Sequence, residues 1–224
     1  GTRVQYFGGP WGALDLRPCA YSVCGAFLIF GTPIVHPSVM IRKSLLDKSG
    51  LFYRSDFSRS EDYDLWARLA RFGGLANLSE VLLKYRLHVQ SVTSRHQEVM
   101  AVQQRSIMNR VLKDRTIELT DADLDLLCGI SSCKRSESLS TLTTAASLLK
   151  KIISIEPEAP VAMQRAASIA WLRYSANNGH FGLSGWRVFH AADLHTDVPA
   201  AKIYRKRLMA SCIWHELLGS KKAA

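Results

Sequence analysis

Two adjacent acids, Glu61 and Asp62, are the side chains whose types and placement most directly suggest chemistry. Glu61 stands three residues after Ser58, and this S-x-x-E spacing predicts a capping box at the start of a helix. Carboxylates in a first helical turn point out of a loop into a cleft, and the helix dipole favours their ionised form. An ionised carboxylate within hydrogen-bond reach of a hydroxyl can act as a general base. The alternative is that both acids only cap the helix.

The predicted helix carries three further side chains of interest. Asp64 lies three residues after Glu61 on the same helical face, so it could assist the acid pair. The alternatives are that Asp64 is exposed to solvent or that it pairs with Arg68 at i+4. Trp66 belongs to an apolar stripe and is therefore expected in the core. Tyr63 is the better candidate to line a cleft beside the acids.

Two predicted strands frame this helix. Residues 38–42 predict a strand flanked by His36 and Arg42, and His36 either lines a cleft or is a core histidine bonded to backbone. Apolar and polar residues alternate over 81–88, which predicts a second strand. One face of that strand contains Lys84, Arg86 and His88. We therefore expect strand, helix and strand over residues 30–90, with both strands in one mixed sheet.

Helices account for most of the remaining predicted structure. Residues 44–49 predict a short helix that is closed by Gly50. Thr120 is a candidate N-cap, with Asp121 and Asp123 in the first turn of the helix that follows. Further helices are predicted over residues 94–115, 139–155, 161–174 and 200–218.

The composition restricts the classes of protein that fit. The chain has 224 residues and a formal charge of +10, which suits phosphates, anionic lipid or nucleic acid as partners. Its five cysteines form no tight framework, so reduced thiols are expected rather than a disulfide scaffold. No apolar run reaches the roughly 18 residues that span a bilayer, and no signal peptide is visible. We therefore expect a cytoplasmic protein.

Several short motifs follow one another in a fixed order between Pro33 and Ser94. They are H-P-S-V-M-x-R from His36 to Arg42, G-x-[FY] from Gly50 to Phe52, E-D-Y-D-L-W from Glu61 to Trp66, and Y-R-x-H from Tyr85 to His88. Each motif alone is weak, but their order and spacing are specific. Over about residues 30–95 the chain resembles the second half of family 2 glycosyltransferases of the GT-A fold.

The resemblance implies an inverting transfer of a sugar from a nucleotide-sugar donor to a saccharide or lipid-linked acceptor. In that reaction Asp62 would be the general base, with Glu61 as second choice. The acceptor-binding residues would be His36, Arg42, Tyr63 and Asp64. Arg86 would neutralise phosphate, and His88 would ligate a divalent cation, Mn²⁺ or Mg²⁺, held by the donor diphosphate. The alternative is that Arg86 and His88 are only polar side chains on a solvent-exposed strand, without a role in binding.

The predicted fold class is α/β, a partial GT-A domain with a mixed sheet and helices, followed by an all-α C-terminal region. The boundary is placed near residue 115, where glycine- and aromatic-rich segments give way to Ala, Leu, Ser and Lys at helical spacing. We therefore predict a transferase-derived domain over 1–115 and an almost wholly helical extension over 116–224.

The sequence departs from the family pattern on the donor side. The Asp-x-Asp motif that holds metal and nucleotide-sugar in the family should precede Pro33, but the residues before Pro33 contain one acid, Asp15. Asp121 and Asp123 offer the same spacing, but they belong to the first turn of a later helix. The donor-binding half is either upstream on a longer chain or missing from a relic. The isolated chain is therefore expected to lack transferase activity.

The C-terminal segment is basic and amphipathic, which suits either the anionic cytoplasmic face of a membrane or a solvated helix packed on its domain. Its basic residues are Lys202, Arg205, Lys206, Arg207, Lys221 and Lys222, against one acid, Glu216. Two other functional classes stay open for the whole chain: a non-catalytic binding or assembly module derived from a transferase, and a basic helical nucleic-acid binder. No nucleic-acid recognition module is found, so no specific nucleic acid is expected.

Overall fold

The computed structural model describes residues 1–8, 15–87, 96–155, 160–195 and 201–222. The chain forms two compact units, Gly1–Glu118 and Leu119–Ala224. The division lies close to the change of composition near residue 115. The first unit combines two strands with helices and the second is helical in its described residues, which confirms the predicted α/β fold class with an all-α C-terminal region.

The two described strands of the first unit are β1, Thr2–Phe7, and β2, Leu78–Arg86, and they pair in parallel. Val4, opposite Leu83, is fully buried and anchors the pair to the core. Leu83 and Tyr85 are half-buried whereas Lys84 and Arg86 are exposed, which is the alternation that the sequence predicts.

The prediction of a strand over residues 38–42 is wrong. His36–Ser38 forms a turn of 3-10 helix, and residues 39–42 continue without pairing to a strand. Pro37 explains the difference, because proline has no N–H to donate to a sheet and favours the first positions of a helical turn. The Ser38 hydroxyl instead accepts a hydrogen bond from the Thr2 N–H, 3.2 Å away. The partner of β2 among the described residues is instead β1, for which the sequence patterns predicted no strand.

The described part of the first unit also contains four α-helices: α1, Tyr21–Phe27; α2, Lys43–Ser49; α3, Glu61–Leu69; and α4, Gln97–Asp114. Helix α2 ends at Gly50, whose φ of 64° is left-handed, as the sequence predicts. The capping box at the start of α3 is wrong, because Ser60 is the N-cap residue and Ser58 belongs to the preceding turn. The largest buried side chains of this unit include Phe27, Phe30, Trp66, Ile107 and Met108.

The second unit contains α5, Asp121–Ser131; α6, Leu139–Ile155; α7, Pro160–Ala176; α8, Gly182–Ala191; and α9, Ala201–Lys222. The Thr120 side chain accepts a hydrogen bond from the Asp123 N–H at 3.1 Å, which confirms the predicted N-cap. Trp171 and Phe189 stack in the core with ring centroids 6.3 Å apart. Among the described residues, no helix is long and apolar enough to cross a lipid bilayer.

Candidate functional site

Helix α3 begins at the acid pair, so Glu61, Asp62 and Tyr63 are its first three residues. The Asp62 Oδ1 atom accepts a hydrogen bond from the Tyr63 N–H, 2.7 Å away. This contact satisfies one of the first-turn N–H groups that have no partner inside the helix. Asp62 therefore stabilises the helix terminus with one oxygen, which leaves its second oxygen for another partner.

Burial raises the pKa of Asp62 above the usual range of an aspartate. The Tyr63 N–H, His36 and Arg17 act in the opposite direction, while the neighbouring charge of Glu61 raises the pKa further. The sequence predicted that the helix dipole would favour ionisation, but desolvation of the half-buried carboxyl outweighs it. A carboxylate with a raised pKa holds a proton more tightly and is a stronger base when ionised.

His36 and Tyr53 lie beside the acid pair. The His36 ring packs edge-on against Trp66 at 6.1 Å between centroids, and its Nε2 atom lies 2.9 Å from the Tyr53 hydroxyl. Burial raises the pKa of Tyr53, and the charges of Asp62 and Glu61 raise it further. These four residues, Glu61, Asp62, His36 and Tyr53, form the Asp62 cluster. The sequence indicated three of them and missed Tyr53, although an aromatic residue directly after the G-x-[FY] motif is a usable signal.

Arg17 is a fixed cation within electrostatic reach of the Asp62 cluster. Its Nε atom donates to the Thr32 carbonyl at 2.9 Å, and its Nη1 atom donates to the Tyr6 hydroxyl at 2.9 Å and to Asp15 at 3.1 Å. Burial alone would lower the pKa of Arg17, but Asp15, Tyr6 and Asp62 together raise it. Sequence analysis missed Arg17 because the segment around it has no clear pattern.

Asp64 lies in the interior, away from solvent, with none of its side chain exposed. Its Oδ2 atom is 2.7 Å from Arg68 Nη2, and its Oδ1 atom is 2.6 Å from Arg110 Nη2. Arg54 Nη1 lies at 3.9 Å from the same Oδ1 atom. The pairing with Arg68, one of the alternatives from the sequence, is confirmed, and Asp64 connects α3 to α4.

Tyr63 is also in the core rather than on an accessible surface. It is 2% exposed, and its hydroxyl donates a hydrogen bond to the Leu28 carbonyl. Trp66 is 1% exposed, which confirms its predicted place in the core. The two predicted acceptor-binding residues of α3, Tyr63 and Asp64, therefore support the helix on which Asp62 stands.

The other predicted site residues lie apart from these contacts. Arg42 is exposed at the N-terminus of α2, and the Arg86 guanidinium lies over the Phe7 ring at 5.5 Å. His88, the predicted metal ligand, is outside the described residues. Within the described ranges, no group of three or more His, Cys, Asp or Glu side chains could hold a metal ion.

The raised pKa of Asp62 has a consequence for stability. A carboxyl whose pKa is higher in the folded state stabilises the fold while protonated, and this contribution is lost as pH rises through the folded pKa. We expect Asp62→Asn to raise the melting temperature at neutral pH, and the difference to close as the pH falls towards about 4. Asparagine can still accept the Tyr63 N–H bond through its Oδ1 atom. Thermal unfolding of the chain from pH 4 to pH 8 measures this.

Asp123→Asn is the matched control. Its side-chain bond to Lys151 lowers the pKa of Asp123, against a smaller effect of burial. A lowered pKa stabilises the fold above the unfolded pKa, so this substitution should lower the melting temperature at neutral pH. If Asp62→Asn lowered it in the same way, Asp62 would act only as a helix cap.

Comparison with known proteins identifies one relative that is named as a glycosyltransferase. Over 72 residues, or 32% of its length, it is 35% identical to a protein of Haemophilus influenzae (strain ATCC 51907 / DSM 11121 / KW20 / Rd) that is named an uncharacterized glycosyltransferase. The chain is related to a glycosyltransferase. The match spans 22% of that relative's own length, less than a quarter of it. No family model matches the chain, and no solved structure matches it.

Proposed function

We propose that this chain is the acceptor-side part of an inverting family 2 glycosyltransferase of the GT-A fold, acting in the cytoplasm with Asp62 as its general base. The observation that carries the proposal is the state of Asp62: a half-buried carboxyl of raised pKa at a helix N-terminus, beside His36 and within reach of the Arg17 charge. The motif order over residues 30–95 and the relationship to a named glycosyltransferase support the reaction class.

The Asp62 carboxylate would accept one proton in the reaction. Oδ1 already accepts the Tyr63 N–H, so Oδ2 is the oxygen for the acceptor hydroxyl. As that proton moves to Oδ2, the hydroxyl oxygen attacks the anomeric carbon of the donor sugar and the bond to the nucleoside diphosphate breaks. A single displacement of this kind inverts the anomeric centre. Solvent then takes the proton from Asp62.

The neighbouring groups of the Asp62 cluster orient the acceptor and adjust the base. His36 and Tyr53 are joined at 2.9 Å and would offer hydrogen-bonding groups to a saccharide or lipid-linked acceptor. Arg17 is fixed by three acceptors and favours the ionised form of Asp62. Glu61 raises the pKa of Asp62 and remains the second candidate for the base. Arg42 at the start of α2 stays a proposed acceptor contact.

The donor side of the proposal rests on the resemblance alone. A nucleotide-sugar donor, phosphate contacts from Arg86 and a divalent cation, Mn²⁺ or Mg²⁺, near His88 all stay predictions. The proton transfer to Asp62 involves neither Arg86 nor the cation.

The stereochemistry of transfer tests the reaction class. The full-length gene product, supplied with nucleoside diphosphate sugars and an acceptor extract, is expected to form a glycosidic bond with the opposite anomeric configuration from the donor. Proton NMR coupling at the anomeric position of the product measures the outcome. Retention of configuration would contradict the inverting mechanism. No transfer from any donor would contradict the proposal as a whole and favour a binding or assembly module.

A further inference from the structure

Helix α9 carries apolar residues on two opposite faces. Its inner face packs on the helical unit through Ala201, Leu208 and Cys212, each at most 2% exposed. At about 100° per residue, a second set lies on the other side of the helix. Ile203, Ile213 and Trp214 belong to it, and they are 45%, 44% and 61% exposed. Packing of the core needs only the inner face, so the apolar outer face is not explained by the fold.

The charge around this outer face has one sign. Lys202 and Lys206 are exposed beside Ile203. Glu216, the one acid in the sequence from 201 to 222, is used elsewhere. Its Oε2 atom accepts a hydrogen bond from the Leu183 N–H at the start of α8, 3.0 Å away. An exposed apolar face that includes a tryptophan, with lysines on the same helix, is the pattern of a helix that lies in the interface of an anionic membrane.

We propose that α9 lies flat on an anionic phospholipid bilayer, with Ile203, Ile213 and Trp214 between the head groups and with Lys202 and Lys206 against lipid phosphates. The helix has 22 residues, about 33 Å in length, which is enough for several lipid contacts in the plane of the membrane. A second copy of the chain fits the face less well, because a symmetric contact would bring the same cations together. The outer face of α9 does not include Asp62, so the membrane-binding proposal is tested separately from the proposed transferase function.

Binding to vesicles tests the proposal directly. The probe is a phosphatidylcholine vesicle with about one third phosphatidylglycerol, compared with pure phosphatidylcholine, in a sedimentation assay at low and high salt. We expect the chain to bind the anionic vesicles, to lose binding at high salt and to bind the neutral ones weakly. Trp214→Ala should weaken binding at least about tenfold. Lys202→Gln and Lys206→Gln should each weaken it about fivefold.

Matched controls come from the same helical unit. Val161 is exposed to a similar extent, 64%, at the start of α7, and Lys150 is an exposed cation on α6. Val161→Ala and Lys150→Gln should bind vesicles like the unmodified chain, and circular dichroism should show unchanged helix content in every variant. The proposal is overturned if the anionic vesicles are not bound, or if Trp214→Ala binds them as well as the controls do. It is also overturned if Trp214→Ala abolishes self-association instead, which would make this face a contact between copies.

Discussion

Under the proposed function, replacing Asp62 with asparagine in the full-length gene product is expected to slow sugar transfer by about 10²–10⁴-fold. Asparagine keeps the shape of the side chain and its bond to the Tyr63 N–H, but it has no charge with which to accept the acceptor proton. Donor affinity should be nearly unchanged, because the work of Asp62 is on the acceptor. The measurements are kcat and the dissociation constant of the nucleotide-sugar.

Glu61→Gln is the matched control, since it removes the adjacent charge from the same helical turn. It should lower the pKa of Asp62, because Glu61 raises it, and it should leave turnover within about tenfold of the unmodified enzyme. If Glu61→Gln were the slow variant and Asp62→Asn turned over normally, the base would be Glu61.

Asp64→Asn is expected to cost about 3 kcal/mol of folding free energy. The substitution removes the charge that pairs with Arg68 and Arg110, whose side chains are 16% and 30% exposed. Arg68 and Arg110, with Arg54 3.9 Å from the same oxygen as Arg110, would then lie close together around a neutral amide. This loss of about 3 kcal/mol is at the lower end of the range for breaking a buried ion pair, because Arg68 and Arg110 both keep some contact with solvent. Urea unfolding of the chain measures the loss.

Asp47→Asn is the control for that experiment. Asp47 pairs with Lys43 on α2 at 2.8 Å, but the two side chains are 53% and 85% exposed. An exposed pair of this kind contributes at most about 1 kcal/mol. Equal losses in the two variants would show that Asp64 is not the ionic centre that joins α3 to α4.

The sequence predicted local features correctly where the signal and its partner are close in the chain. Gly50 ends α2 and Thr120 starts α5 because a left-handed residue and a capping hydroxyl act within one helical turn. The amphipathic pattern placed Trp66 in the core for the same reason. The pattern over residues 38–42 was misleading, because one proline turned a strand-like segment into a helical turn.

The site depends on contacts between distant residues, which the sequence pattern does not contain. Asp64 is paired by Arg110, 46 positions later, and Tyr63 is bound to the Leu28 carbonyl, 35 positions earlier. The acid pair itself was predicted, but its environment was not. Arg17 reaches the cluster only through the fold, and the raised pKa of Asp62 follows from burial that periodicity cannot report.

The pH dependence of kcat/KM tests the role of Asp62 most directly. Only the ionised carboxylate accepts a proton, so kcat/KM of the full-length enzyme should rise with pH through the raised pKa of Asp62 and then level off. In Asp62→Asn this acidic limb should disappear, and the rate should be low at every pH. An acidic limb that persists in Asp62→Asn at near-normal turnover would contradict the assignment of Asp62 as the general base.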